Sequence, residues 1–162
     1  MYFFYSDAYD SLFPDNVFDR MALFFSIANI AFNRRDLVRL FMELRRVLRK
    51  GGLIGISEPF VEDFPKNLGE VLRQLYAESH NGETLLYLSD VVWALRKTNF
   101  GIVEMTKIEL GDTGADVGEA KEYLGHHYGV PIPGSVLLSI RTDRIWVHDD
   151  PPGYTMIVAK KR

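Results

Sequence analysis

Hydrophobic and polar positions along the chain follow two periods, and the switches between them mark its elements. Residues 1–5, Met-Tyr-Phe-Phe-Tyr, form an aromatic run with strand propensity, closed by Ser6 and Asp7. Leu12 to Asn16 carries turn chemistry: Pro14 fixes its own backbone angle and Asp15-Asn16 closes the loop. Phe18 to Ile27 is mostly apolar, interrupted early by Asp19 and Arg20, which predicts a strand covered on both faces as in a parallel sheet. Helical spacing then takes over. Leu37, Leu40, Phe41, Leu44, Val47 and Leu48 share one face, while Arg34, Arg35, Arg39, Glu43, Arg45 and Arg46 fall mostly on the other. Arg49 and Lys50 suit the helix C-terminus through its dipole, and Gly51 suits the left-handed stop. Leu53–Ser57 follows as a short buried strand, so strand, helix and strand make a parallel, right-handed βαβ unit.

Further along, Leu68, Val71, Leu72, Leu75 and Tyr76 predict an amphipathic helix over 65–79. After an Asn81-Gly82 turn, Ser89 is the expected N-cap of a helix running to about Lys97. Asn99-Phe100-Gly101 breaks the pattern, and Ile102–Leu110 reads as a strand. An exposed loop is expected over 111–118 and a short helix over 117–127. Val136–Ile140 and Arg144–Val147 read as two strands around a Thr142-Asp143 turn. Asp149 to Gly153 is a firm break, and Tyr154–Ala159 is the last strand. No internal repeat or linker divides the chain, so a single domain over 1–162 is expected.

Composition narrows the function classes. A chain of 162 residues has the usual size of one domain, and 47% hydrophobic with 25% charged residues excludes disorder and fibrous repeats. The longest apolar run, Met21 to Phe32, is broken by Ser26 and Asn29 and is too short for a bilayer; no signal peptide is read at the start. No membrane association is expected. A net charge of −3 argues against nucleic acid as a partner, and the basic pairs Arg34-Arg35 and Arg45-Arg46 read as a solvated helix face. The absence of cysteine removes disulfides, thiol nucleophiles and thiolate metal sites, and fits a cytoplasmic protein.

Two ordered segments carry a resemblance to a known family. Ser6 to Asp19, S-D-A-Y-D-S-L-F-P-D-N-V-F-D, resembles the G-D-A-x-x-L-P-F-p-D-n-s-F-D segment of class I S-adenosylmethionine-dependent methyltransferases. Glu43 to Leu53, E-L-R-R-V-L-R-K-G-G-L, resembles their E-x-x-R-V-L-K-P-G-G segment at the right distance downstream, with Lys50 in place of proline. Leu88-Ser89-Asp90 through Leu95 and Asn99 to Glu104 resemble the later helix, turn and strand, so the likeness covers about residues 6–110.

The resemblance implies an α/β fold: a Rossmann-like methyltransferase sheet with counterparts of the family's strands 4-5-7-6, strand 7 antiparallel. Residues 2–5 would end strand 3, and Tyr154–Ala159 would be strand 7. Strands 1 and 2, the glycine-rich loop after strand 1 and the acidic residue ending strand 2 have no counterpart. The expected domain is therefore a truncated one. Asp7 and Ala8 match the pair that contacts adenine, and Phe25 and Ser26 stand where the family lines the cofactor pocket, although the family usually has smaller or more polar side chains there. The implied cofactor is S-adenosylmethionine. Glu58, after the fifth family strand, is a candidate substrate contact or base, with a loop anchor as the plainer alternative. His126 and His127 are the other acid–base candidates; adjacent helical positions point about 100° apart, so they do not make a shared metal site and no metal is expected.

Loss of strand 1 would leave the edge of the 18–27 strand open, which predicts a homo-oligomer or a partner protein pairing there. Two functions follow from the resemblance. One is a methyltransferase-like protein active only as an oligomer or with a partner. The other is a non-catalytic, methyltransferase-derived interaction subunit that uses the open edge.

Overall fold

The apolar run after Val17 becomes strand β1 (Phe18–Phe24) in the computed structural model, which describes residues 6–65, 68–78, 84–111 and 151–162, with 115–116, 122, 126 and 144–145. A four-residue helix α1 (Ile27–Ile30) leads to helix α2 (Arg34–Val47). Asn33 starts α2 because its side chain accepts hydrogen bonds from the Arg35 and Asp36 amides. Strand β2 (Leu48–Glu58), helix α3 (Leu68–Glu78), helix α4 (Leu88–Lys97), strand β3 (Phe100–Glu109) and strand β6 (Gly153–Lys161) complete the main body. Two short strands, β4 (Ala115–Asp116) and β5 (Arg144–Ile145), pair antiparallel with each other.

The four long strands form one sheet in the order β1-β2-β6-β3. β1 runs parallel to β2, whereas β6 is antiparallel to both β2 and β3. Helices α2 and α4 cover the sheet. Leu37, Leu40, Phe41 and Leu44 from α2 pack with Val91 and Leu95 from α4 over Ile54, Ile56, Ile157 and Ala159 of the central strands. Each fully buried side chain of this kind contributes roughly 1.5–3 kcal/mol. The burial thus falls on the face that the leucine spacing of α2 dictates.

Several boundaries differ from the sequence expectation for identifiable reasons. β1 stops at Phe24 rather than Ile27, because Phe25 takes a left-handed φ of 43° and the next amides turn towards the Glu58 carboxylate. Arg49, Lys50 and Gly51 belong to β2, not to the end of α2. Phe18 pairs with Leu48 and Arg20 with Leu53, so the intervening residues bulge, and Gly51 supplies the left-handed φ of 76° in that bulge. Ser89 lies inside α4 and Tyr87 is the N-cap position; the Glu62 carboxylate, from a short 3-10 turn at Val61–Asp63, accepts from Leu88 N at 2.9 Å. The 65–79 helix is described over Leu68–Glu78. The expected strands at residues 2–5 and 136–140 lie outside the described residues, as does most of the 117–127 helix.

Candidate functional site

β1 is an edge of the sheet, and its free side can be read from its hydrogen bonds. Phe25 N donates to Ser57 O at 2.9 Å and Val17 N to Val47 O at 2.8 Å, so odd-numbered residues turn their main-chain groups towards the β2 side. By strand alternation Phe18, Arg20, Ala22 and Phe24 present theirs to the opposite side, where no strand pairs with them among the described residues. A cavity of about 550 Å³ runs along this edge between β1, α2 and the loop before β1. Asp7, Ala8, Ser11, Arg20, Ala22 and Glu43 are among its lining residues.

The loop and α2 are locked together by the two segments that carry the sequence resemblance. Glu43 Oε1 accepts from Ser11 N at 2.8 Å and from Ser11 Oγ at 2.6 Å, and Arg46 bonds both Glu43 oxygens at 2.7 and 2.9 Å. Arg46 also reaches Asp15. The bond from Arg46, with those from Ser11, holds the Glu43 carboxyl down at about 2. The spacing of Glu43 and Arg46 was visible in the sequence; their grip on Ser11 and Asp15 was not. Asp7 is exposed, and its Oδ1 accepts the Tyr9 amide at 2.8 Å in a local turn. Ala8 is half-buried beside it.

Phe25, Ser26 and Glu58 form a separate group at the C-terminal end of β1 and β2. Glu58 is fully buried. Its oxygens accept from Ser26 N at 3.0 Å and Ala28 N at 2.9 Å, so it anchors the turn into α1. Burial pushes its carboxyl up to about 7, against the pull of the Ala28, Ser26 and Ile27 amides, which favour the charged form. The Phe25 ring stands edge-on to Phe24 at 6.0 Å and to Tyr154 at 5.5 Å. The Ser26 and Ser57 hydroxyls are buried with no hydrogen-bond partner among the described residues. His126 is exposed and helical, and His127 lies outside the described residues.

The expected cofactor residues therefore divide. Asp7 and Ala8 line the edge cavity; Phe25 and Ser26 are not among its lining residues and sit with Glu58. A sulfonium amino acid joined to adenosine needs acceptors for two ribose hydroxyls, partners for the adenine edge and donors for a carboxylate. In the cavity the Glu43 oxygens are already taken by Arg46 and Ser11, which leaves Asp7 and Arg20 as its charged groups. That donor set fits part of the cofactor and not the whole.

No family profile matches the sequence, and no curated protein does so either. Solved structures do match, and those described below do so at 16–19% identity. An S-adenosylmethionine-dependent methyltransferase from Methanosarcina mazei superposes with a TM-score of 0.57 at 17% identity, over 96% of this chain and 65% of that one. The [4+2]-cyclase SpnF gives 0.55 at 19%, over 96% and 53%. Geranyl diphosphate C-methyltransferase from Streptomyces coelicolor A3(2) gives 0.52 at 16%, over 96% and 50%. The chain thus spans between half and two thirds of these proteins. One of them is named as a cyclase, so the likeness speaks to fold and not to reaction. With the sheet order β1-β2-β6-β3 and β6 antiparallel, it shows that the chain carries the α/β fold of the class I S-adenosylmethionine-dependent methyltransferases, its four long strands corresponding to 4-5-7-6 and no described strand to 1 or 2.

Proposed function

We propose that this chain is the C-terminal part of an S-adenosylmethionine-dependent methyltransferase site, and that it binds the cofactor only when a further strand pairs with β1. The supporting observation is the main-chain edge of β1, unpaired among the described residues, beside a cavity of about 550 Å³. In the fold it resembles, that is the place of the first strand. The missing binding groups would then arrive with the pairing segment, contributed by a second copy, by another protein or by a preceding segment of the same protein. Within this chain Asp7, Ala8 and Arg20 border the part of the site that is present.

One observation favours a second reading, a non-catalytic interaction subunit. Phe24 and Phe25 stand at the C-terminal end of β1, 65% and 37% exposed, as apolar surface suited to covering by a partner. The same edge would then serve association alone.

Calorimetric titration of S-adenosylmethionine into the isolated chain tests the leading reading. No saturable heat is expected up to millimolar ligand, and micromolar one-site binding by the monomer would overturn the claim that the site is incomplete. Sedimentation equilibrium gives the oligomeric state in parallel. Ala22→Pro removes an amide on the free side of β1 and leaves the β1–β2 ladder intact, so it should abolish association without unfolding the chain. An assembled form that still binds no cofactor would establish the second reading.

A further inference from the structure

A second cavity, of about 330 Å³, lies away from the β1 edge. It opens between the start of α2, α3 and the segment that leads into α4, and it is tied to α1 because Thr84 N donates to Ala28 O at 3.3 Å. Its size is at the lower end of the roughly 300–1,000 Å³ usual for small-molecule sites. Two guanidinium groups line it, Arg34 and Arg73.

Both guanidiniums are held by aromatic rings. Arg73 Cζ stands 4.8 Å from the centre of the Tyr87 ring, and Arg34 Cζ stands 5.2 Å from that of Trp93. Tyr87 is fixed in turn by its hydroxyl, which donates to both Glu70 oxygens at 3.0 and 2.7 Å. The Arg34 side chain spends one edge on Asp90, with Nε and Nη2 both 2.7 Å from Oδ1, so this pair is close to neutral. Arg73 has no carboxylate partner among the described residues. Its guanidinium makes no hydrogen bond among the described residues and so keeps its N–H donors available, while Glu70, one turn earlier on α3, holds the hydroxyl of the same Tyr87. Thr84, which is 8% exposed, lines the same cavity and makes no side-chain hydrogen bond among the described residues. Phe32, Leu85 and Leu86 provide an apolar wall.

We infer that this cavity binds a small molecule carrying a phosphate or carboxylate group on an apolar body. Arg73 takes the oxyanion as a planar, stacked fork, with Thr84 as a second donor and the apolar wall against the remainder. The net charge of −3 opposes non-specific uptake of anions, so saturable binding has to come from such a local site. The inference does not rest on methyl transfer, and it stands or falls independently of cofactor binding.

Calorimetric titrations with phenyl phosphate, benzoate and inorganic phosphate provide the test. Saturable one-to-one binding of phenyl phosphate or benzoate is expected, tighter than that of inorganic phosphate because of the apolar wall. The tighter of the two aromatic probes identifies the group the site prefers. Arg73→Ala should weaken that binding at least tenfold, Arg73→Lys should lose less, and the distant Arg49→Ala should lose nothing. Absence of saturable binding by all three probes, or an Arg73→Ala chain that binds as tightly as the wild type, would overturn the assignment.

Discussion

Replacing Glu58 with glutamine is expected to remove a decline in stability that the wild-type chain shows as pH rises from about 4.5 to about 7. The native carboxyl holds its proton up to about 7, whereas its ordinary value is 4.5. Between those limits the unfolded chain has released the proton and the folded chain retains it. Each increment of pH therefore favours unfolding, and the folded state is most favoured by this group below pH 4.5. At 1.36 kcal/mol per pH unit the interval amounts to roughly 3 kcal/mol. With a urea slope of about 2 kcal/mol per molar, the midpoint should fall by about 1.5 M. Glutamine cannot ionise, but it sets an amide donor against one of the two backbone N–H groups that Glu58 binds, at a cost of about 1–3 kcal/mol. The variant is thus less stable than the wild type at pH 5, and the gap closes by pH 8. Urea unfolding of both proteins at pH 5, 6, 7 and 8 measures the difference directly. Parallel pH profiles for the two chains would refute the assignment of this titration to Glu58.

Glu43 should give the opposite dependence. Its carboxyl is held at about 2, so its contribution is present above pH 4.5 and is lost as pH falls towards 2; acid unfolding of Glu43→Gln should show a shallower loss over that range than the wild type. Two glycines separate conformational strain from steric clash. Gly51→Ala should cost about 1 kcal/mol in urea unfolding, because φ is 76° while the nearest atom to the new methyl is Lys160 Cε at an ordinary 3.7 Å. Gly69→Ala should cost well over 2 kcal/mol, because its methyl would stand 2.3 Å from the Val61 carbonyl oxygen and force α3 off the 3-10 turn.

The parts of the fold legible in the sequence are those fixed by near neighbours. Leucine spacing locates α2, and Asn99, with a φ of 63°, marks the turn between α4 and β3 where the Asn-Phe-Gly break is read. Sheet order was legible only through the family resemblance that two motifs carry, and those motifs touch through Glu43 and Ser11. The parts that are not legible depend on distant partners. Nothing near Phe25 signals a left-handed turn, because the carboxylate that organises it belongs to Glu58 on another strand. Ser89 has the chemistry of a helix start, yet Glu62 reaches the first amides of α4 from 26 residues upstream. The basic pair Arg49-Lys50 reads as a helix end, but pairing of Leu48 with Phe18 claims that backbone for the sheet. For the candidate sites, Asp7 and Ala8 lie on the cavity that the first motif borders. The cavity with Arg34, Arg73 and Tyr87 has no sequence pattern, since three elements bring those residues together.

The position of β6 has a consequence for the order in which the molecule assembles. β6 is later in the chain than every other strand of its sheet, yet it lies between β2 and β3, which do not pair with each other. β1 and β2 come early in the chain and pair directly, but among the described residues β3 pairs only with β6, at residues 153–161. Closing the sheet brings Gly101 beside Lys160 and Ile54 beside Ala159, contacts that span roughly a third to two thirds of the sequence. Such distant pairings slow folding. Completion of this sheet therefore waits on β6, and until β6 pairs, the side of β3 that it covers stays unpaired among the described strands.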